Sequence, residues 1–307
     1  MRITEETLGN ACVLAYADPR NRDDPLLEQF DAQPFERNRS YALVLNAGNT
    51  AIVACRGTVP QHVLNLLTDF RFLKPNRYGH GQGRVHRGFA GGAQELIAEG
   101  LLNYLSALDV EHVWFVGHSL GGGIATVLAG QAIEDLWLSV RTVNLFTVGC
   151  PRVGTAPFAN WLESAISDRG GRIDRIVNAG DIVTQIPPRG RRTDALTFVG
   201  RWLQQVARFT GLWGYVHVGE TRLFEEDGYL NEAVDQSAEL VLRLKQLLDD
   251  VRPWNFPVQL ARNLTQTITD HFALLYAARL TMRVEYCRAT GIEPLIDHEV
   301  QAIHATE

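Results

Sequence analysis

The sequence predicts an α/β fold: a mostly parallel central sheet with helices on both faces. Strand-like apolar runs at residues 113–116, 143–148 and 172–178 alternate with helical patterns, the signature of βαβ units. The first run enters a glycine-rich turn with a serine at its apex, then a helix-forming stretch at 124–129. A length of 307 residues suffices for one large α/β domain, and 46% hydrophobic with 21% charged residues is ordinary for a globular chain.

In chain order, residues 5–17 carry helical spacing through Leu8, Ala11, Cys12 and Tyr16, and Asp18-Pro19 ends the pattern. A polar stretch reaches Ser40, with one apolar patch at Leu26, Leu27 and Phe30. Two apolar runs at 41–45 and 51–55 flank Ala47-Gly48-Asn49, which predicts an antiparallel hairpin. Residues 84–107 predict a helix with Phe89, Ala93, Leu96, Leu101 and Leu105 on one face. After the strand–turn–helix at 113–135 come a strand at 143–148, a helix at 156–166, and a strand at 172–178 ending in Ala179-Gly180-Asp181. Beyond Pro188 the alternation blurs. Residues 217–224 read as a last strand, 231–251 and 270–290 as helices, and the final residues as a loose tail. The economical organisation is a single domain over 1–307, with helical insertions at 189–212 and 225–269.

A net charge of −6 argues against nucleic acid as a partner, and Arg189-Gly190-Arg191-Arg192 reads as a solvated loop. The four cysteines are scattered without metal-ligand spacing, so neither a metal site nor a disulfide framework is expected. Cys55 and Cys150 sit in apolar runs and read as buried thiols. Residues 1–17 carry Glu5 and Glu6 and lack the apolar core of a signal peptide, and no run of about 18 apolar residues occurs. A cytoplasmic protein with no transmembrane segment is the expectation.

Chemistry concentrates at Gly117-His118-Ser119-Leu120-Gly121, a G-x-S-x-G pattern between strand and helix. The glycines let strand and helix approach closely, and a strained apex pushes the serine hydroxyl outward. The helix that follows directs free N–H groups and a positive dipole end at a developing oxyanion. Ser119 is the candidate nucleophile.

A serine needs a base and the base an orienting acid, in the chain order Ser, Asp/Glu, His for this sheet type. Asp181 follows a strand's carboxyl end, where such groups gather, whereas Asp174 lies at the wrong end of the same strand. Of nine histidines, His217, His271 and His298 follow Asp181 ahead of the tail. His271, beside Asp270 at a loop–helix junction, is the stronger candidate; His217, at the start of a strand, is its rival. The oxyanion donors are expected from the backbone of Leu120 and from Thr58, which closes Cys55-Arg56-Gly57-Thr58 after an early strand. The adjoining stretch at 59–70 holds Val63, Leu64, Leu66 and Leu67, too apolar for open water. It reads as buried core or as a mobile lid, and its place beside the oxyanion loop favours the lid.

Taken together, the motifs resemble those of the class 3 lipases, the family typified by filamentous-fungal triacylglycerol lipases. Arg56-Gly57-Thr58 is similar to its oxyanion motif, with Leu67-Thr68-Asp69-Phe70 at the lid's end and Val85-His86-Arg87-Gly88-Phe89 at a helix start. Gly117–Gly122 resembles its elbow, Gly149-Cys150-Pro151-Arg152-Val153-Gly154 its proline loop, Val177–Val183 with Pro187-Pro188 its acid strand, and Asp270-His271 its base. The resemblance implies an α/β-hydrolase fold and a Ser119–Asp181–His271 triad, and it places His217 outside the base position. It also implies hydrolysis of carboxylic esters, foremost acylglycerols, with no cofactor. Phospholipids, short soluble esters and feruloyl-type esters are rival substrates, and a non-catalytic lipase-like binding module is the rival class. The stretches at 189–212 and 225–269 exceed the compact members of the family, and the fungal disulfides are missing.

Overall fold

The computed structural model of the chain describes residues 2–16, 30–57, 75–79, 82–135, 140–178, 181–185, 214–224, 230–232, 276, 280–281 and 297–299. The chain opens with β1 (Arg2–Thr4) and α1 (Glu5–Leu14), followed by β2 (Asp31–Arg37), β3 (Ser40–Ala47), β4 (Thr50–Cys55), β5 (Pro75–Arg77) and β6 (Arg84–His86). Helices α2 (Arg87–Ala98) and α3 (Leu101–Ala107) lead to β7 (His112–His118), α4 (Leu120–Asp135), β8 (Thr142–Val148), β9 (Gly154–Thr155) and α5 (Ala156–Ser167). Strand β10 (Ile173–Asn178) is followed by a 3-10 turn at Ile182–Gln185, β11 (Tyr215–Val216), β12 (Thr221–Phe224), β13 (Leu230–Glu232) and β14 (Asp297–Glu299).

Among the described residues, eight strands form the main sheet in the order β13-β12-β10-β8-β7-β4-β3-β2. The five central strands from β12 to β4 run parallel, and the flanking pairs are antiparallel. Strands β4, β7, β8 and β10 are laid down in one direction across the sheet, so right-handed crossovers must put their helices on one face. They do. Phe89, Leu96, Leu101, Ile124, Leu128, Phe158 and Leu162 pack with Val53, Phe115 and Leu145. The opposite face, carrying Leu43, Ile52, Trp114 and Phe146, is covered by Leu8, Ala11 and Cys12 of α1 and by Tyr276 and Leu280. Neighbouring Trp114 and Phe115 enter opposite cores, as the two-residue period of a strand buried on both sides demands.

The helix expected over 84–107 is instead strand β6 and two helices, parted where Gly100 takes φ 92°. Strand β2, expected as part of a polar stretch, buries only Phe35 along its length. A strand at the sheet edge needs little apolar sequence, which is why it escaped the periodic signal. The last predicted strand, 217–224, forms only from Thr221 on, as β12 in the main sheet; Gly219 (φ 80°) precedes it, and β11, just ahead of the predicted range, joins a small second sheet. Residues 230–232, the last two of them expected in the helix at 231–251, pair antiparallel with β12, and β14, beyond the last predicted helix, pairs with β1. The rest of the insertion expected at 225–269, the one expected at 189–212 and the lid expected at 59–70 lie outside the described residues.

Candidate active site

Register brings the site together. Cys55 of β4 pairs with Gly117 of β7, and His118 with Val148 of β8, so three strands end side by side at their carboxyl ends. The chain turns sharply there: Ser119 has φ 58°, in the left-handed region that β-carbon-bearing residues avoid, and α4 begins at the next residue. Its amide donates to the Val148 carbonyl at 3.0 Å, and its carbonyl accepts from Gly122 at 3.0 Å. These bonds fix the apex between the last sheet rung and the first helical turn. A Cβ on Gly121 would run into the Cys55 carbonyl and stand 2.8 Å from the Arg56 carbonyl carbon. One on Gly117 would press into the Gly121 backbone and lie 2.6 Å from the Gly122 nitrogen. The bare backbones therefore let the turn after β4 lie against the start of α4, where Leu120 stands.

Asp181 follows β10, the next strand beyond β8, and is buried. Its Oδ1 accepts from the Val183 amide at 2.9 Å, and its Oδ2 accepts from the Tyr276 hydroxyl at 2.8 Å. The backbone closes around it: the Asp181 amide donates to the Asn178 carbonyl at 3.0 Å, and the Thr184 hydroxyl donates to the Asp181 carbonyl at 2.8 Å. Asp174, the rejected alternative, pairs with Arg172 at 2.7 Å and Arg222 at 3.3 Å at the strand's other end. Its role is structural.

His118 sits inside the elbow, buried, with Nδ1 2.8 Å from the Tyr16 hydroxyl. The Gly57 backbone also hydrogen-bonds that hydroxyl, so Tyr16 ties the turn after β4 to His118 in the elbow. Burial above all pushes the Tyr16 phenol up, which keeps it neutral. His86 is used up structurally: Nδ1 caps α2 by accepting from Gly88 at 3.2 Å, and burial holds its pKa down to about 4. The buried thiols are unreactive as well, since burial pushes Cys150 up to about 12.

Of the five residues expected in the site, Ser119 and Leu120 follow β7 and Asp181 follows β10, at the same end of the sheet with β8 between them. Thr58 and His271 lie outside the described residues. His217 falls between β11 and β12. Two tyrosines were missed by the sequence reading, Tyr16 and Tyr276. The spacing of Tyr16 marked it as one more apolar helix position, and Tyr276 carried only its place five residues after His271. Among the described residues no group of His, Cys, Asp or Glu is arranged to hold a metal ion.

Residues 52–190, which include Ser119, Leu120 and Asp181, match the family model described as Lipase (class 3). Over that stretch the chain is similar to the class 3 lipases. It is 33% identical over 154 residues to the secreted mono- and diacylglycerol lipase 1 of Fusarium solani, covering 48% of this chain and 43% of that protein. It is 31% identical over 144 residues to a chloroplastic phospholipase A(1) of Arabidopsis thaliana, covering 44% of this chain and 31% of that protein. The chain thus spans under half the length of these sequence relatives. In structure it is similar to the triacylglyceride lipase of Rhizomucor miehei, with TM-score 0.56, 22% identity, and coverage of 74% of this chain and 82% of that one. At that identity the likeness is one of fold, the α/β-hydrolase fold expected from the motifs.

Proposed function

We propose that this chain is a class 3 lipase family member and a serine carboxylic-ester hydrolase acting on acylglycerols. The observation that carries the proposal is Ser119 at φ 58°, at the carboxyl end of β7 and the start of α4, with the Asp181 carboxylate fixed beyond the next strands. In this reading His271 takes the Ser119 proton as Oγ attacks the ester carbonyl, and Asp181 orients and stabilises the imidazolium. The amide of Leu120 and the amide and hydroxyl of Thr58 hold the oxyanion. Collapse of the tetrahedral intermediate expels the alcohol, which takes the proton from His271 and leaves Ser119 acylated. Water, deprotonated by His271, then releases the fatty acid. No step calls for a metal or an organic cofactor.

The relatives support the substrate class: the Fusarium protein is a mono- and diacylglycerol lipase by name. The Arabidopsis phospholipase A(1) supports phospholipids as the second reading. Release of p-nitrophenol from butyrate and palmitate esters, with Ser119→Ala as control, tests the chemistry. Folded protein without Ser119-dependent turnover would leave the non-catalytic binding module. Parallel assays on diacylglycerol and phosphatidylcholine emulsions separate the two lipid classes. The 59–70 stretch is proposed as a lid, and a rate that rises smoothly through the substrate's solubility limit would count against it. No described helix is long and apolar enough to cross a membrane. Cytoplasmic placement remains a proposal that cell fractionation tests, with secretion, which the name of the Fusarium relative carries, as the opposing outcome.

A further inference from the structure

Tyr276 makes two hydrogen bonds of 2.8 Å through one oxygen, to the Asn178 amide and to Asp181 Oδ2. The amide can only donate, so the phenol oxygen accepts from it, and the single hydroxyl proton is committed to the carboxylate. The side chain is wholly buried, packed with Val148 and Ile176 on the face of the sheet opposite the crossover helices. It therefore clamps the last residue of β10 to the acid three residues later. The other carboxylate oxygen is held by the Val183 amide. A carboxylate offers about four acceptor sites, so these two donors leave capacity for an imidazole N–H. The ring also lies 6.0 Å from that of His118, next to the nucleophile, so one side chain touches both halves of the site.

We propose that Tyr276 is a positioning residue for the catalytic acid: its hydroxyl fixes the rotation and charge of the Asp181 carboxylate. This rests on the Ser119–Asp181–His271 reading. The bond is charge-assisted and lies in a water-poor setting, where such bonds are strongest. Tyr276→Phe keeps the ring and deletes the donor. Without it, more negative charge on Asp181 faces the imidazole, which favours the imidazolium and raises the base's pKa.

The test is ester hydrolysis by the full chain, wild type against Tyr276→Phe, across pH, with near-UV circular dichroism to establish folding. Expected are a fall in kcat of roughly tenfold, from losing a hydrogen bond to a charged group, an unchanged KM, and an acidic limb displaced to higher pH. Adding Tyr276→Phe to Asp181→Asn should cost little more, because the partner charge is already gone. An unaltered kcat and pH profile in folded Tyr276→Phe overturns the proposal and leaves the tyrosine as packing. Should that variant not fold, proton NMR of the wild type gives the second measurement. A slowly exchanging tyrosine hydroxyl resonance that moves in Asp181→Asn is expected, and its absence overturns the assignment. Wild-type protein without Ser119-dependent turnover would sink the hydrolase reading and this proposal with it, whereas wild-type turnover with an unaltered Tyr276→Phe sinks the proposal alone.

Discussion

Ser119 bears a backbone conformation that costs an L-residue about 1–2 kcal/mol, while glycine adopts it freely. Ser119→Ala removes the hydroxyl and keeps the strain; Ser119→Gly removes both. Both should lack esterase activity, and the glycine variant should be the more stable by about 1 kcal/mol in urea unfolding. Equal midpoints would mean the apex is unstrained and the serine is exposed by some other means. The apex was legible from the sequence because its cause is local: two glycines two residues either side of a serine, after a strand and before a helix. Tyr16 and Tyr276 were not, because the partners that define them lie 102 and 95 residues away. Nothing in the neighbourhood of either residue encodes such a meeting.

Strand β10 places an aspartate near each end, and their surroundings assign them opposite duties. Asp174 is buried between two guanidiniums, so Asp174→Asn leaves those cations without their counter-charge. Arg172 is 41% exposed, so solvent discounts the loss to about 1–3 kcal/mol of stability, with activity retained at temperatures where the protein stays folded. Asp181→Asn should do the reverse, lowering kcat by about 10⁴-fold, the scale set by losing the orienting acid of a serine triad. Equal catalytic losses in the two variants would refute the division. Helix α2 supplies a pH test. His86 is held neutral down to about pH 4 by burial, against an ordinary value of 6.5. The unfolded chain therefore takes up a proton that the folded one refuses, and stability falls as pH drops from about 6.5 towards 4, by up to about 3 kcal/mol. Protonation would also remove the lone pair that caps α2. His86→Asn keeps a capping acceptor without the titration, so its melting temperature should vary less over that window. Parallel melting curves against pH would show that another group sets the acid limit. The elements read well from sequence were those with apolar faces, β3, β4, β7, β8, α4 and α5. The polar edges β2, β13 and β14 were missed because strand pairing satisfies their backbones without an apolar pattern.

The whole molecule divides into a crossover face and a face covered by the two ends of the chain. Leu8, Ala11 and Cys12 share the second core with Tyr276 and Leu280, and β1 pairs with β14. The same terminal regions reach the site, Tyr16 at the Gly57 turn and His118, and Tyr276 at Asp181. Packing on this face should therefore be energetically inseparable from the site. Leu8 is fully buried, and Leu8→Ala should lower stability by about 2–5 kcal/mol. In a urea titration of that variant, loss of ester hydrolysis and loss of far-UV circular dichroism should move to lower urea together, because no site survives without its terminal cover. Activity that outlasts the dichroism of the terminal elements, or a midpoint unmoved by the substitution, would show α1 to be an appendage and the catalytic end of the sheet to stand without it.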